Sequence, residues 1–285
     1  MKRLAIITLL VMALIAANAF AASMSDVMPV LKAAKKSVDS TLSEIDKDMK
    51  SAAKDLSTVD LKSDDARKVL TDLMKFRPYV VDCSILDANG TKITVEPAEY
   101  RKLEGTSRSD LPHVITLLKT KKPVMSDVYR ASEGTHAITI GCPILTDKGE
   151  LKGAVRMLIR YEVFLGPLVS GKPFNIWVMQ PNGVIVYDPN PDEIGRNIFS
   201  DDMYKPFPDL VSFAQTVAMA TNGAGSYNFY ANAPKDMTLV QKVAVWDTAG
   251  VYGTEWRIIA MEEDRVIEQP AKNASGDRSA ATQVK

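Results

Sequence analysis

The sequence has little of the chemistry that most enzymes and metalloproteins need. Its 285 residues include two cysteines and two histidines, His113 and His136. No Cys-x-x-Cys or His-x-x-Glu spacing occurs, which argues against the usual zinc and haem sites. The glycine-rich phosphate loops and the Gly-x-Ser-x-Gly turn of hydrolases are also missing. We therefore expect no metal, no cofactor and no catalytic residue.

Net charge and long apolar runs are also missing. The 35 basic and 35 acidic residues balance to a formal charge of zero, so nucleic acid is not an expected partner. Asp188, Asn190 and Asp192 alternate as calcium ligands do, but prolines interrupt them and the required Gly and Glu are out of place. Beyond the first residues, no run approaches the roughly 20 apolar residues that span a bilayer.

The chain begins with the pattern of a secretory signal peptide. Two basic residues precede an apolar stretch from Leu4 to Ala17, and small residues follow at Ala19 and Ala21. An uncleaved membrane anchor is the alternative. We expect residues 1–22 to be removed, which leaves a soluble periplasmic or otherwise extracytoplasmic protein.

Apolar residues recur every three or four positions from Val27 to Val59. This spacing predicts a long amphipathic helix with Asp26 as its N-cap, followed by a shorter helix capped by Ser63; together they cover residues 24–76. So narrow a stripe suits a helix lying along a sheet or the seam of a coiled coil. A homodimer through the 27–59 helix is therefore an open alternative.

The remaining sequence contains the same pattern twice. ILDANGTKITVEP and VMQPNGVIVYDPN each read as strand, glycine turn and strand, with Gly90 and Gly183 in the turns. TDKGELKGAVRMLI and DTAGVYGTEWRIIA also align, so that Arg156 and Arg257 occupy equivalent positions in the two copies. Two units with one order of elements indicate tandem copies of a single fold. The polar tail, 268–285, is expected to be disordered.

Three stretches resemble the double Cache domain, an extracytoplasmic ligand-sensing module of chemoreceptors and histidine kinases: KPVMSDVYR, ITIGCPILTDKGELKGAV and NGVIVYDPNPDEIGRN. The resemblance implies a mixed α/β (α+β) fold, in which a long helix carries two PAS-like lobes, each a five-stranded antiparallel sheet with flanking helices. The membrane-distal-type lobe would cover 77–165 and the second lobe 173–264. No second apolar segment follows, so we expect a stand-alone member that passes its ligand state to a membrane receptor or transporter.

Strand alternation separates Arg156 from the core-facing residues of its strand, and the resemblance makes its face the ligand face. We expect Arg156, with Arg108 and Tyr129, to bind a carboxylate, because guanidinium groups match carboxylates bidentately. The alternative is that Arg156 only neutralises Asp82 while Arg108 is solvated. The full predicted ligand set is Asp82, Arg108, Asp127, Tyr129, Thr139 and Arg156.

The resemblance also bears on the kind of ligand and on the cysteines. Leu158 stands where amino-acid-binding members have an acidic residue, which favours an organic acid or other anion. Cys83 and Cys142 both alternate with core residues, and the family's strand order places another strand between theirs. Two strand spacings of about 4.8 Å exceed the roughly 7 Å limit for a disulfide. We therefore predict two free, buried thiols.

These observations favour an exported small-molecule-binding sensor. Two other interpretations remain open. One is an extracytoplasmic enzyme whose polar residues come together from distant parts of the sequence. The other is a structural or assembly protein that dimerises through the long helix.

Overall fold

The computed structural model describes residues 2–170, 174–232 and 235–267. The predicted disordered tail, 268–285, lies outside them. In the part that is described, no helix is both long and apolar enough to cross a membrane. The mixed α+β class predicted from the sequence is confirmed, with one long helix and two antiparallel sheets.

Helix α1 (Lys2–Ser57) is the longest element. It starts at Lys2, so the prediction that Asp26 caps its first turn is wrong. The residues before Asp26 are mostly leucine, alanine, isoleucine and methionine, which have good or moderate helix propensity, and contain no proline or glycine. Cleavage after the signal segment stays a prediction.

The apolar stripe of α1 is buried within the chain. It packs against both sheets, and every side chain in its central part is at most 2% exposed. These residues are Val27, Leu31, Ala34, Val38, Leu42, Ile45 and Met49. Burying one large aliphatic side chain is worth about 1.5–3 kcal/mol. Because the stripe is already buried in the chain's own core, it is not free to form the apolar seam of a homodimer through the 27–59 helix.

Polar groups mark the end of α1 and the start of the next helix. The Lys152 ammonium donates to the backbone oxygens of Leu56, Ser57 and Val59 at 3.2, 2.9 and 2.6 Å, where carbonyls lack helical partners. Helix α2 (Asp64–Met74) then begins at Ser63, whose hydroxyl accepts from the Ala66 amide. The predicted Ser63 cap is confirmed.

The first lobe is built on a six-stranded sheet. Its strands are β1 (Val80–Asp87), β2 (Lys92–Glu96), β3 (Val124–Met125), β4 (Tyr129–Arg130), β5 (His136–Leu145) and β6 (Leu151–Ile159), and helix α3 (Pro112–Thr120) lies beside them. The strand order is β2-β1-β6-β5-β3, with β4 also paired to β5. We predicted five strands; the segment PVMSDVYR divides into β3 and β4 because residues 126–128 leave the sheet.

The second lobe follows helix α4 (Tyr161–Val169) and repeats the plan. Its elements are β7 (Asn175–Met179), β8 (Ile185–Tyr187), α5 (Pro208–Met219), β9 (Gly223–Asn232), β10 (Asp236–Val251) and β11 (Thr254–Val266). The order β8-β7-β11-β10-β9 corresponds to that of the first sheet. Gly90 and Gly183 both have positive φ, 85° and 90°, in equivalent hairpin turns. The predicted duplication is confirmed.

Strand order also determines the relation of the two cysteines. Strand β6 lies between β1 and β5, as predicted, so that Cys83 is paired with Met157 and Cys142 with Val155. Both thiols are free and buried in the core.

Candidate functional site

The face of the first sheet that points away from α1 carries an arginine. Arg156 is paired with Ser84 on β1 and with Gly141 on β5. A Cβ atom at position 141 would lie 2.7 Å from Leu117 of α3 and 3.8 Å from the Arg156 side chain. Glycine at this position therefore allows α3 to cover the sheet beside the arginine.

Arg156 is 4% exposed, yet among the described residues only one of its nitrogens has a hydrogen-bond partner. Nη2 donates to the Tyr129 hydroxyl at 3.1 Å and to Thr139 Oγ1 at 3.2 Å, and the two hydroxyls lie 2.7 Å apart. Among the residues that the structure describes, Nε and Nη1 have no hydrogen-bond partner. Buried charged groups normally have their hydrogen bonds satisfied, so these donors are exceptional.

Two more unpaired polar groups belong to this face. Ser84 Oγ and His113 Nε2 are buried and have no partner among the described residues. The rings of His113 and Tyr129 lie 5.1 Å apart. Burial and the Arg156 charge lower the pKa of His113 to about 3, so its imidazole is neutral at neutral pH. We refer to Ser84, His113, Tyr129, Thr139 and Arg156 as the Arg156 cluster.

Each unsatisfied buried donor or acceptor costs about 1–3 kcal/mol. Arg156, Ser84 and His113 contribute four such atoms to one face of one lobe. Two of them are guanidinium N–H groups, which bind carboxylate or phosphate oxygens with charge-assisted hydrogen bonds. The arrangement is therefore suited to an oxyanion.

Next to this cluster lies a buried group of three charges. The Lys92 ammonium is 3.1 Å from Asp82 Oδ2 and also contacts Glu133, and all three side chains are 2% exposed. Burial raises the pKa of Asp82 to about 7, although Lys92 and Arg156 oppose this. Burial also acts to raise the pKa of Glu133, but hydrogen bonds from Asp82 and Lys92 outweigh it and keep that pKa low. Near neutral pH, Lys92 is therefore neutralised mainly by Glu133.

The structure brings together three of the six predicted ligand residues, Tyr129, Thr139 and Arg156. The alternative, in which Arg156 only neutralises Asp82, does not hold, because Lys92 from β2 binds the Asp82 carboxylate. The Arg108 guanidinium donates to Thr106 Oγ1 at 3.4 Å, and among the described residues it makes no hydrogen bond or ion pair with the cluster.

Asp127 faces the second lobe. Its Oδ1 accepts from Gln180 Nε2 at 3.0 Å, and Gln180 Oε1 accepts from the Val128 amide at 3.2 Å. Asp127 and Val128 therefore contact the second lobe, whereas Ser126, which precedes them, still bonds to Thr139 of β5; all three leave the regular strand. They border a cleft of ≈ 620 Å³ that has Tyr129 and His113 on one side and Asn182 and Thr254 on the other.

The sequence reasoning missed Ser84, Lys92, His113 and Glu133. Strand alternation could have indicated Ser84, which lies two residues after Asp82 on β1 and therefore on the same face. Lys92 and Glu133 are 41 residues apart and meet only in the folded lobe, and nothing in the local pattern distinguishes them from surface charges. In the described residues, no three His, Cys, Asp or Glu side chains are grouped so as to hold a metal ion.

In the second lobe, the equivalent arginine has all its groups bonded. Arg257 donates to the Val217 and Ala218 carbonyls at 3.1 and 3.3 Å and to Glu255 at 2.8 Å. The surrounding face is packed with aromatic residues: Trp177, Tyr204, Phe207, Phe213, Tyr227, Phe229 and Trp246. A cavity of ≈ 50 Å³ remains beside Asp188, Glu193 and Lys242.

Comparison with known proteins gives the same fold and one family. Residues 40–160 match the family model of the HK/GC/chemotaxis protein-like sensor domain. No curated protein sequence matches the chain. An extracellular ligand-binding receptor from Desulfohalobium retbaense is 26% identical with a TM-score of 0.69, over 83% of this chain and 40% of that one. This chain thus spans less than half of that receptor.

Two further solved structures match this chain over nearly their whole length. The ligand-binding domain of the Campylobacter jejuni chemoreceptor Tlp3, in complex with 4-methylisoleucine, has a TM-score of 0.62 and 13% identity, over 86% of this chain and 92% of that one. A sensory box/GGDEF family protein domain from Vibrio parahaemolyticus has a TM-score of 0.61 and 13% identity, over 86% and 98%. Identities this low show the fold. Together with the family match over residues 40–160, they show that this chain has the fold of Cache-type chemoreceptor ligand-binding domains.

Proposed function

We propose that this protein is an exported, extracytoplasmic sensor whose first lobe binds a small organic acid or another anionic metabolite. The observation that carries the proposal is Arg156, which is 4% exposed and has Nε and Nη1 unpaired among the described residues. A bound carboxylate would accept from both donors. Ser84 and the neutral His113 would complete the site.

The ligand state would then pass to a membrane receptor or transporter. Residues 126–128 support this step, because they border the Arg156 cluster and bond to Gln180 of the second lobe. We also retain 77–165 and 173–264 as the limits of the two lobes. Stronger association of the ligand-loaded protein with envelope membranes is expected in a co-sedimentation assay, and equal association of loaded and unloaded protein would contradict it.

Amino acids are the second candidate ligand class. They share the carboxylate that Arg156 would bind, and the solved Tlp3 domain contains an isoleucine derivative. An amino acid would differ from a simple carboxylate by its amine, which would need both space and a negatively charged partner in the first lobe.

A thermal-shift screen of small carboxylates and amino acids tests the proposal. A ligand at 100 times its dissociation constant should add about 2.7 kcal/mol to the free energy of unfolding. Arg156→Ala should abolish the shift, whereas Arg130→Ala, at an exposed position of the same lobe, should keep it. An unchanged shift in Arg156→Ala would refute the site.

A further inference from the structure

Lys92 occupies an unusual position for a lysine. Its side chain is 2% exposed, and its ammonium lies between the carboxylates of Asp82 on β1 and Glu133 in the turn after β4. A buried ammonium is tolerated only when it is paired and hydrogen-bonded. Here both carboxylates bond to it, so these two acidic groups already have a cationic partner.

Asp82 connects this charge group to the cluster. Ser84 is paired with Arg156, and Asp82 lies two residues before Ser84 on β1. Because side chains alternate along a strand, all three share the ligand face. A ligand that bound Arg156 by its carboxylate and also carried an amine would need a nearby buried acceptor. Among the described residues, Asp82 on this face and Glu133 in the turn beside it are buried carboxylates, and Lys92 bonds to both.

We propose that Lys92 is the residue that determines the ligand class: its ammonium fills the amine position beside Arg156, so the first lobe accepts carboxylates without an amine and rejects amino acids. This inference rests on the proposed function of the Arg156 cluster. It names the ligand class as small monocarboxylates. In this arrangement, Arg156 is the cation whose partner the ligand supplies.

Lys92→Ala provides a direct test, because the atoms that it removes correspond to propylammonium. The wild-type protein, Lys92→Ala and the control Lys68→Ala are compared by thermal shift and titration calorimetry; Lys68 is 74% exposed. The probes are propylammonium and pairs of straight-chain carboxylates of two to six carbons with their 2-amino derivatives.

Wild type and Lys68→Ala should bind at least one carboxylate ten times more tightly than its 2-amino derivative and should not respond to propylammonium. Lys92→Ala should be stabilised saturably by propylammonium, and its preference should shift at least tenfold toward the amino acid. If the variant does not fold alone, recovery of folded protein in propylammonium is the expected result, and no recovery counts against an amine position.

The selectivity of the wild-type protein can contradict the inference even without the variant. Equal or tighter binding of amino acids by the wild type would overturn the role of Lys92 and leave the Arg156 site standing. If the folded wild type binds neither member of any pair, the inference fails; the proposed function fails as well only if the thermal-shift screen described above also finds no ligand that depends on Arg156.

Discussion

Arg156 and Arg257 occupy equivalent positions in the two lobes but have opposite hydrogen-bonding states. Both lie on the strand at the centre of their sheet, between the first strand and the long partner strand. Arg257 bonds to two carbonyls at the end of α5 and to Glu255. Arg156 keeps two unpaired N–H-bearing nitrogens within the described structure. The duplicated fold has thus made one arginine structural and left the other suited to a ligand.

This difference predicts unequal effects of the same substitution at the two positions. Arg257→Met should lower the free energy of unfolding by about 2–4 kcal/mol, because buried carbonyls lose charge-assisted hydrogen bonds. Arg156→Met should change the free energy of unfolding of the ligand-free protein by less than about 1 kcal/mol, because it removes a buried charge whose hydrogen bonds are incomplete. Urea unfolding of both variants without ligand measures this. Equal losses would show that Arg156 is also a structural arginine.

Ligand affinity should depend on pH through Asp82. Burial raises the pKa of this carboxyl to about 7. Above that pH the ionised Asp82 carboxylate offsets part of the positive charge of Arg156 and so weakens the attraction of an anionic ligand. Below that pH the protonated carboxyl has no such effect. Affinity should therefore increase as pH falls from 8 to 6, by up to tenfold for each pH unit above 7.

Titration calorimetry at pH 6, 7 and 8, in two buffers with different ionisation enthalpies, should detect proton uptake on binding. The groups around Asp82 are Lys92 from β2, Glu133 from the turn after β4, and Arg156 from β6. Asp82→Asn keeps the shape but not the titration, so its affinity should be constant across this range. A wild-type affinity independent of pH would assign Asp82 no part in binding.

Gln180 should influence a site that it does not touch. It is fully buried and bonds to Asp127 and to the Val128 amide, which lie between β3 and β4. Gln180→Leu should lower the free energy of unfolding by about 1–3 kcal/mol, because the Val128 amide loses a partner. It should also weaken ligand binding, since the loop carrying Ser126 and leading to Tyr129 loses its support. Asn182→Ala, at the same edge, is the control. Unchanged affinity in Gln180→Leu would show that the lobes are not coupled here.

The fold was predictable from the sequence because it depends on periodic patterns. The stripe of α1, the turns at Gly90 and Gly183 and the cap at Ser63 each follow from local spacing. The start of α1 was not, because the apolar residues before Asp26 and the amphipathic stretch after it both favour helix, and no proline or glycine separates them. The short strands β3 and β4 also depend on a distant residue, Gln180.

The candidate site was only partly predictable for a related reason. Strand alternation places Arg156 on the correct face, and Tyr129 and Thr139 lie beside it. Alternation does not reveal which charge pairs with which, so the sequence left open whether Arg156 neutralises Asp82, and the structure shows that Lys92 binds Asp82 instead. Pairing of buried charges depends on side-chain reach between strands, which a single sequence does not encode locally.

The two thiols offer a test of strand order in solution. Cys83 and Cys142 lie on strands separated by β6, and both are buried. Burial raises the pKa of Cys142 to about 11 and that of Cys83 well above its usual value, so both should be unreactive thiols in the folded state. A thiol reagent at pH 8 should therefore modify almost nothing in the native protein and two groups per chain after unfolding without reductant. Two thiols in urea would agree with the separation by β6, whereas none would mean that the cysteines had formed a disulfide and that β1 and β5 are neighbours.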